Sequence, residues 1–456
     1  MSVNEREDIM RNGWITLSAS LFVAILGGCA GEKPAPVKVD VCGPLVEKLA
    51  QEDMKAVDGV MAELLQKKGE CLDAVKKAVG HSSVQVRTRA AELLGRVGDP
   101  AGLDALATAM KDEDPKVRAA AADAMKKFTF AQVSGVVEQL LGAEDFKVRV
   151  VTVGVLKELN DPASIPLLIK ALSDKHGGVR NAVYEVIAGI GPAGVAGLLK
   201  EYESTTSEAD RRMLIVALGR TKDTAVVDTL VKVLQGEEIR LRNAAACAMS
   251  DIKDPRTVEP LLAAVQDANA PVRACAAKAL GTQGDPRAVP LLINLLQKDT
   301  FDHVKAMAAY ALGKLADDRA MAVLIKGLKD DARSVRYHCV AALSNYAKPN
   351  VVAPLAAMLA DEEVRAHAVA SLVKLGPLST AAMVKSLKNP DAAVAAASAT
   401  VLGRIGDRTA VKSLVGALSR TETNVQQQVS TALRMLTGQN FGMDAAAWTN
   451  WLKDNA

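Results

Sequence analysis

Aromatic residues are scarce in this sequence: 6 Phe, 5 Tyr and 3 Trp among 456 residues. A single large globular core draws much of its bulk from such rings. A conventional core of that size is therefore excluded, although 49% of the residues are hydrophobic. That apolar half excludes a disordered chain. A charge excess is missing too, because the net charge is +3 with 24% charged residues. Nucleic-acid binders are strongly basic and interleave stacking aromatics, so no nucleic-acid partner is expected. No G-x-S-x-G, Walker A or H-E-x-x-H pattern occurs. No C-x-x-C occurs either, which leaves a zinc or redox motif unsupported. The period-2 alternation of half-buried strands is absent as well.

What is present begins with an address. Trp14 to Gly28 (WITLSASLFVAILGG) is uncharged and follows Arg11. Its apolar part is shorter than the roughly 20 residues a membrane span needs. It fits the h-region of a secretory signal peptide. The acidic stretch Asn4 to Asp8 suits a signal poorly, and a start at Met10 would leave a cleaner one. The run ends Leu26-Gly27-Gly28-Cys29, which resembles the bacterial lipobox. That resemblance implies removal of residues 1–28 and lipidation of Cys29. The plain alternative is an ordinary signal peptide with a chance cysteine. Residues 29–41 read as a Pro/Lys tether. Ala30 stands where enterobacterial lipoproteins carry a retention Asp, so the expected location is the periplasmic face of the outer membrane, reached through the lipid.

A Val-Arg pair then recurs at Val86, Val117, Val148 and Val179, and again, with one Leu and one Lys variant, at Leu241, Val272, Val304, Val335 and Val364. The step is 31 with single steps of 32, 29 and 30; Asp210-Arg211, Val394 and Val425 complete the register. Twelve units result. With the Val as column 1, column 9 is always Leu, Ile or Met, from Leu94 to Leu433, while columns 5 and 8 are mostly small. Columns 1, 5, 8, 9 and 12 share one helical face. A second helix precedes each Val-Arg, as in Ile165 to Leu172 and Val289 to Leu296, with Pro166, Pro260, Pro290 and Pro354 in its first turn. Turns such as Gly98-Asp99-Pro100 introduce it, with Asp as the cap. Neither helix can bury its stripe alone, so the units must stack.

The pattern V-R-x-x-A-x-x-A-L-G…G-D-P…L-L resembles HEAT-like repeats of the short phycobilisome-lyase type. The resemblance implies an all-α, right-handed solenoid over 81–436. Capping helices at 42–80 and 437–456 would close its ends, and twelve stacked pairs would extend about 100 Å. It also implies an Asp–Arg ladder between units. The arginines are Arg87, Arg118, Arg149, Arg180, Arg242, Arg273, Arg336 and Arg365; the acids sit a few residues before each pair, as in Asp114, Asp145 and Asp361. A phosphate-binding stripe is the alternative for these arginines. The motif weakens over 191–212, a candidate bend. Trp448 and Trp451 lie three apart behind a capping Asp444 and are expected to cover the last unit.

Of the six cysteines, Cys42 and Cys71 flank an N-terminal helical hairpin read at 43–68, so a disulfide is expected, with two free thiols as the alternative. Cys247, Cys275 and Cys339 read as small core residues. His338 and His367 share column 4 in adjacent units and read as polar flank residues rather than metal ligands. Iron-dependent deoxyhypusine hydroxylases resemble this scaffold, but their His-Glu dipeptides are absent, so no cofactor or metal is expected. Columns 3, 7 and 10 are expected to line the concave side, where Tyr310 (column 7) and Tyr337 (column 3) stand out among small residues; with Tyr184, in column 6, they are candidate anchors for a protein or peptide partner, and partly buried surface tyrosines are the alternative. The expected function is a non-catalytic, lipid-anchored scaffold or adaptor, monomeric or weakly self-associating. An enzyme accessory of lyase or oxidoreductase type and a purely structural spacer are the competing readings.

Overall fold

A computed structural model describes residues 40–455. The expected signal segment, Cys29 and nearly all of the tether lie outside these residues. Every regular element among the described residues is helical. Each repeat has an A helix followed by a B helix. The B helices run from Val84–Val97 through Ala270–Gln283 and Asp302–Leu315 to Thr423–Thr437, twelve in all among the described residues. No single described helix is long and apolar enough to cross a membrane.

Local chemistry explains the boundaries. In most repeats an Asp before the A helix turns back on the chain: Asp99 accepts from the Ala101 N–H, Asp161 from Ala163 and Asp285 from Arg287. A one-turn 3-10 segment follows, Pro100–Gly102 in the first case, before the A helix Leu103–Ala109. B helices then start on caps such as Asp114 and Asp145, whose carboxylates accept from Lys116 N and Lys147 N.

The core is the expected stripe. Val86, Ala90 and Leu94 in columns 1, 5 and 9 are buried, as are Val272, Ala276 and Leu280. Column 10 departs from expectation. Its glycines are buried against the next B helix, although Gly219 and Ser250 of this column still border an open groove. A Cβ on Gly281 would lie 2.7 Å from Ala311 Cα, and one on Gly313 would lie 2.6 Å from Ala342 Cα. Column 10 of one repeat thus seats on column 8 of the next, backbone nearly on backbone.

The ladder is real but differently wired. Arg149 Nε donates to Asp174 Oδ2 at 2.6 Å, across to the following repeat. Arg87–Asp112, Arg242–Asp267, Arg273–Asp299, Lys305–Asp330 and Arg336–Asp361 repeat the geometry. The acid stands 25 or 26 residues after the cation, in the next interhelical loop. Asp361 fits, but Asp114 and Asp145 are helix caps and do not pair across units. Arg118, Arg180 and Arg365 have no carboxylate on this ladder, because Ala143, Thr205 and Asn389 occupy the equivalent loop position, two residues before the next B-helix caps Asp145, Ser207 and Asp391. They bond only loop carbonyls of their own repeat, for example Arg118 to Asp112 O and Glu113 O.

At the start of 191–212 the usual 3-10 segment between helices is missing. Gly191, with φ +74°, alone separates helices Gly177–Ile190 and Pro192–Ser204, which turn by 118°. Gly189 to Gly194 spells G-x-G-x-x-G, but it joins two helices with no strand before it, so it lacks the context of a dinucleotide site.

The ends are closed. The N-terminal hairpin read at 43–68 is instead a short helix, Gly43–Glu47, then Met54–Gln66 and Lys68–Ala78. A Cys42–Cys71 disulfide ties the first of these to the third, with Cα atoms 5.3 Å apart. At the far end Asp444 caps Ala445–Asn455. Trp448 is fully buried and its Nε1 donates to Gly442 O at 3.0 Å. Phe441 and Trp451 meet its ring edge-on, at 4.9 and 6.0 Å.

Candidate binding groove

Five consecutive B helices, from Glu208–Thr221 to Arg333–Leu343, line an open groove of about 570 Å³. Small residues such as Gly219, Ala244 and Ala274 form part of its floor, and Met307 and Tyr310 give it apolar bulk. Arg220 and Lys278 bring positive charge and Asp251 negative charge. None of these three forms an ion pair among the described residues.

The aromatic cluster sits at one end. The Tyr310 ring has the Lys314 ammonium 5.7 Å from its centroid and His338 edge-on at 6.0 Å. Tyr337 stands between His338 and His367, with centroids 4.9 and 4.4 Å away. Burial, then the neighbouring His303, pushes the His338 imidazole below its ordinary value. His367 Nδ1 is buried without a hydrogen-bond partner. Among the described residues no three His, Cys, Asp or Glu side chains group to hold a metal.

Of the three tyrosines singled out by sequence, Tyr310 lines the groove and Tyr337 packs beside it. Tyr184 does not join them: it is half-buried on Gly177–Ile190, upstream of the groove-lining helices. Burial raises its hydroxyl above the ordinary value. The cysteine reading also needs correction. Cys247 and Cys275 are not separate core residues; they form a disulfide between neighbouring B helices, with Cα atoms 4.8 Å apart, and both line the groove. They occupy column 7 of one repeat and column 4 of the next. Only the stagger of adjacent helices brings those columns together, and the periodicity of one helix does not contain it. Cys339 is a buried free thiol whose pKa burial lifts to about 12. His303, Met307, Arg220 and Lys278 were also not anticipated; Lys278 shares column 7 with Cys247 and Tyr310, a signal that was available.

Comparison with known proteins agrees with this architecture. A HEAT-repeat family model matches residues 44–129, 133–206, 195–274 and 258–344. A HEAT repeat-containing taxis protein of Halobacterium salinarum is 31% identical over 157 residues, 30% of this chain and 38% of that protein. This chain therefore spans well under half of that relative. Among solved structures, a chain of the Kap95:Nup1 complex covers 90% of this chain at 16% identity, with a TM-score of 0.50 and 64% of its own length covered. A chain from the complex of Kap95p with RanGDP matches likewise, at 16% identity and a TM-score of 0.51, with 63% of its length covered. These likenesses show the fold alone. With a family model spanning well over half of its residues, the chain belongs to the HEAT-repeat family.

Proposed function

We propose that this chain is a non-catalytic, lipid-anchored scaffold that holds a protein partner at the bacterial cell envelope, at the periplasmic face of the outer membrane. The observation that carries the scaffold reading is the groove. It is open, runs across five repeats, and offers Tyr310 and Met307 among small residues, with unpaired charges at its rim. Such a surface suits an extended or helical segment of another protein. The solved complex of Kap95 with Nup1 is a solenoid of this fold with a protein partner, which supports the reading by analogy only. The anchor rests on Leu26-Gly27-Gly28-Cys29. Two disulfides, one in the N-terminal cap and one in the solenoid, favour an oxidising compartment over a cytosol.

A photo-crosslinking residue in place of Tyr310 is expected to trap a protein in cells, while the same residue at exposed Ala263 on an A helix traps none. Crosslinks only from Ala263 would move the binding face and sink the groove reading. Tyr310→Ala with Tyr337→Ala is expected to leave the thermal midpoint nearly unchanged and to weaken that capture. Cys29→Ala is expected to shift the protein from membrane to soluble fractions, and an unchanged distribution would remove the anchor. Stoichiometric iron in the purified protein would favour the enzymatic alternative.

A further inference from the structure

The two disulfides differ in setting. Cys42 and Cys71 are buried in the N-terminal cap. Cys247 is exposed and Cys275 half-buried, and both lie on the groove wall. We propose that Cys247–Cys275 is a thiol-exchange site, which takes a thiol-bearing ligand: a cysteine of a peptide laid in the groove, or a small soluble thiol. The proposal stands on the groove's geometry and needs neither the lipid anchor nor a particular protein partner.

The direction of attack follows from exposure. The ligand thiol loses its proton to solvent, and its thiolate attacks Sγ of Cys247, the more exposed of the two cysteines. The Cys247–Cys275 bond breaks as the ligand–Cys247 bond forms, and Cys275 departs with the electron pair. Asn243 Nδ2 lies 3.6 Å from Cys275 Sγ, placed to donate to the departing thiolate. Lys278 lies three residues on along the same helix, and Arg220 is elsewhere on the groove wall. Both cations are free of carboxylate partners among the described residues, so their charge is available to a thiolate. In the return step the Cys275 thiolate attacks Cys247, releases the ligand thiol and remakes the bridge. No external oxidant is consumed. A second equivalent of thiol would instead leave both cysteines reduced, with the ligand as its own disulfide.

The other cysteines are internal controls. The native full chain is treated with graded reduced glutathione, quenched with an alkylating reagent, and mapped by mass spectrometry. Cys247 and Cys275 are expected to become labelled at least about tenfold faster than Cys42 and Cys71, because exchange rates follow access and thiolate stabilisation. Cys339 is expected to stay unlabelled until the chain unfolds. Equal rates for the two bridges would overturn the proposal. In Cys275→Ser, with folding checked by circular dichroism, Cys247 is expected to form a stable adduct with oxidised glutathione or with an activated cysteine peptide. A folded variant without an adduct would overturn it as well. If the variant does not fold, the wild-type kinetics decide alone. A peptide that reacts faster than glutathione, and slows several-fold in Tyr310→Ala, assigns the ligand as a peptide; equal rates assign a small thiol. Failure of these reactions leaves the Tyr310 crosslinking result untouched, so the two readings fail separately.

Discussion

Arg149 and Asp174 form the most enclosed rung of the ladder: Nε and Oδ2 are 2.6 Å apart, with 5% and 8% of the two side chains exposed. A second bond, Nη2 to Asp174 Oδ1 at 2.9 Å, makes the pair bidentate. Nη1 also holds Ala143 O and Glu144 O of its own repeat, so one guanidinium ties a loop and the next repeat together. Removing one partner of a buried pair strands the other's charge and costs about 3–5 kcal/mol. Arg149→Ala is expected to fall in that range by urea denaturation. Arg118→Ala has no carboxylate to strand, and is expected to cost about 1 kcal/mol from lost carbonyl bonds. Equal losses would show that the carboxylate is immaterial.

The same rung makes stability pH-dependent. The Arg149 hydrogen bond holds the Asp174 carboxyl below its ordinary value of 3.8, against an opposing pull from burial. For Asp112, Asp267 and Asp299, burial pulls upward most strongly, yet the arginine and backbone hydrogen bonds together prevail and the result is again lowered. A depressed folded-state value stabilises above the ordinary range, and that stabilisation is lost as pH falls through the folded value. The urea midpoint is expected to hold from pH 7 to about 5 and to decline below that. Asp174→Asn is expected to lower the midpoint at pH 7 and to flatten the acid decline. An unchanged slope in the variant would remove Asp174 from the account.

Two glycines inside B helices separate intrinsic propensity from packing. A Cβ on Gly154 would meet nothing within 4 Å, so Gly154→Ala is expected to stabilise by about 0.5–1 kcal/mol. A Cβ on Gly281 would collide with the Ala311 backbone, so Gly281→Ala is expected to destabilise by about 1–3 kcal/mol through overpacking. Thermal melts of the two variants should move in opposite directions. A rise in both would mean that neighbouring B helices can separate freely.

Trp448 closes the array. It is fully buried and bonded to Gly442 O. Trp448→Ala is expected to cost about 3–5 kcal/mol locally. It should free Ala445–Asn455 for proteolysis and raise amide exchange first in Val411–Ala417, the helix on which that segment packs. Protection lost instead at the N-terminal repeats would contradict a capping role.

The repeat period, the two helices per unit and the sparse aromatics were legible because each is written along one helix. Column 1 of Val and column 9 of Leu, Ile or Met report a buried stripe directly, and small residues at columns 5 and 8 announce close neighbours. The cap was legible for a similar reason, since Asp444, Trp448 and Trp451 lie within one short segment. Tyr310 was found because an aromatic in a small-residue column stands out. Tyr184 takes column 6, a different position on the helix, and column position does not say which repeats share a groove.

The sequence by itself determined an elongated all-α array of about 31-residue units, since hydrophobic periodicity and turn chemistry are local and repeat twelve times. Only the tertiary structure decided what crosses between units. It chose Asp174 rather than Asp145 for Arg149, joined Cys247 to Cys275, and buried the column-10 glycines. Each of these depends on the stagger between adjacent B helices. That stagger is set where Gly281 rests on Ala311 and Gly313 on Ala342. It is a relation between surfaces, with no signature in either helix alone.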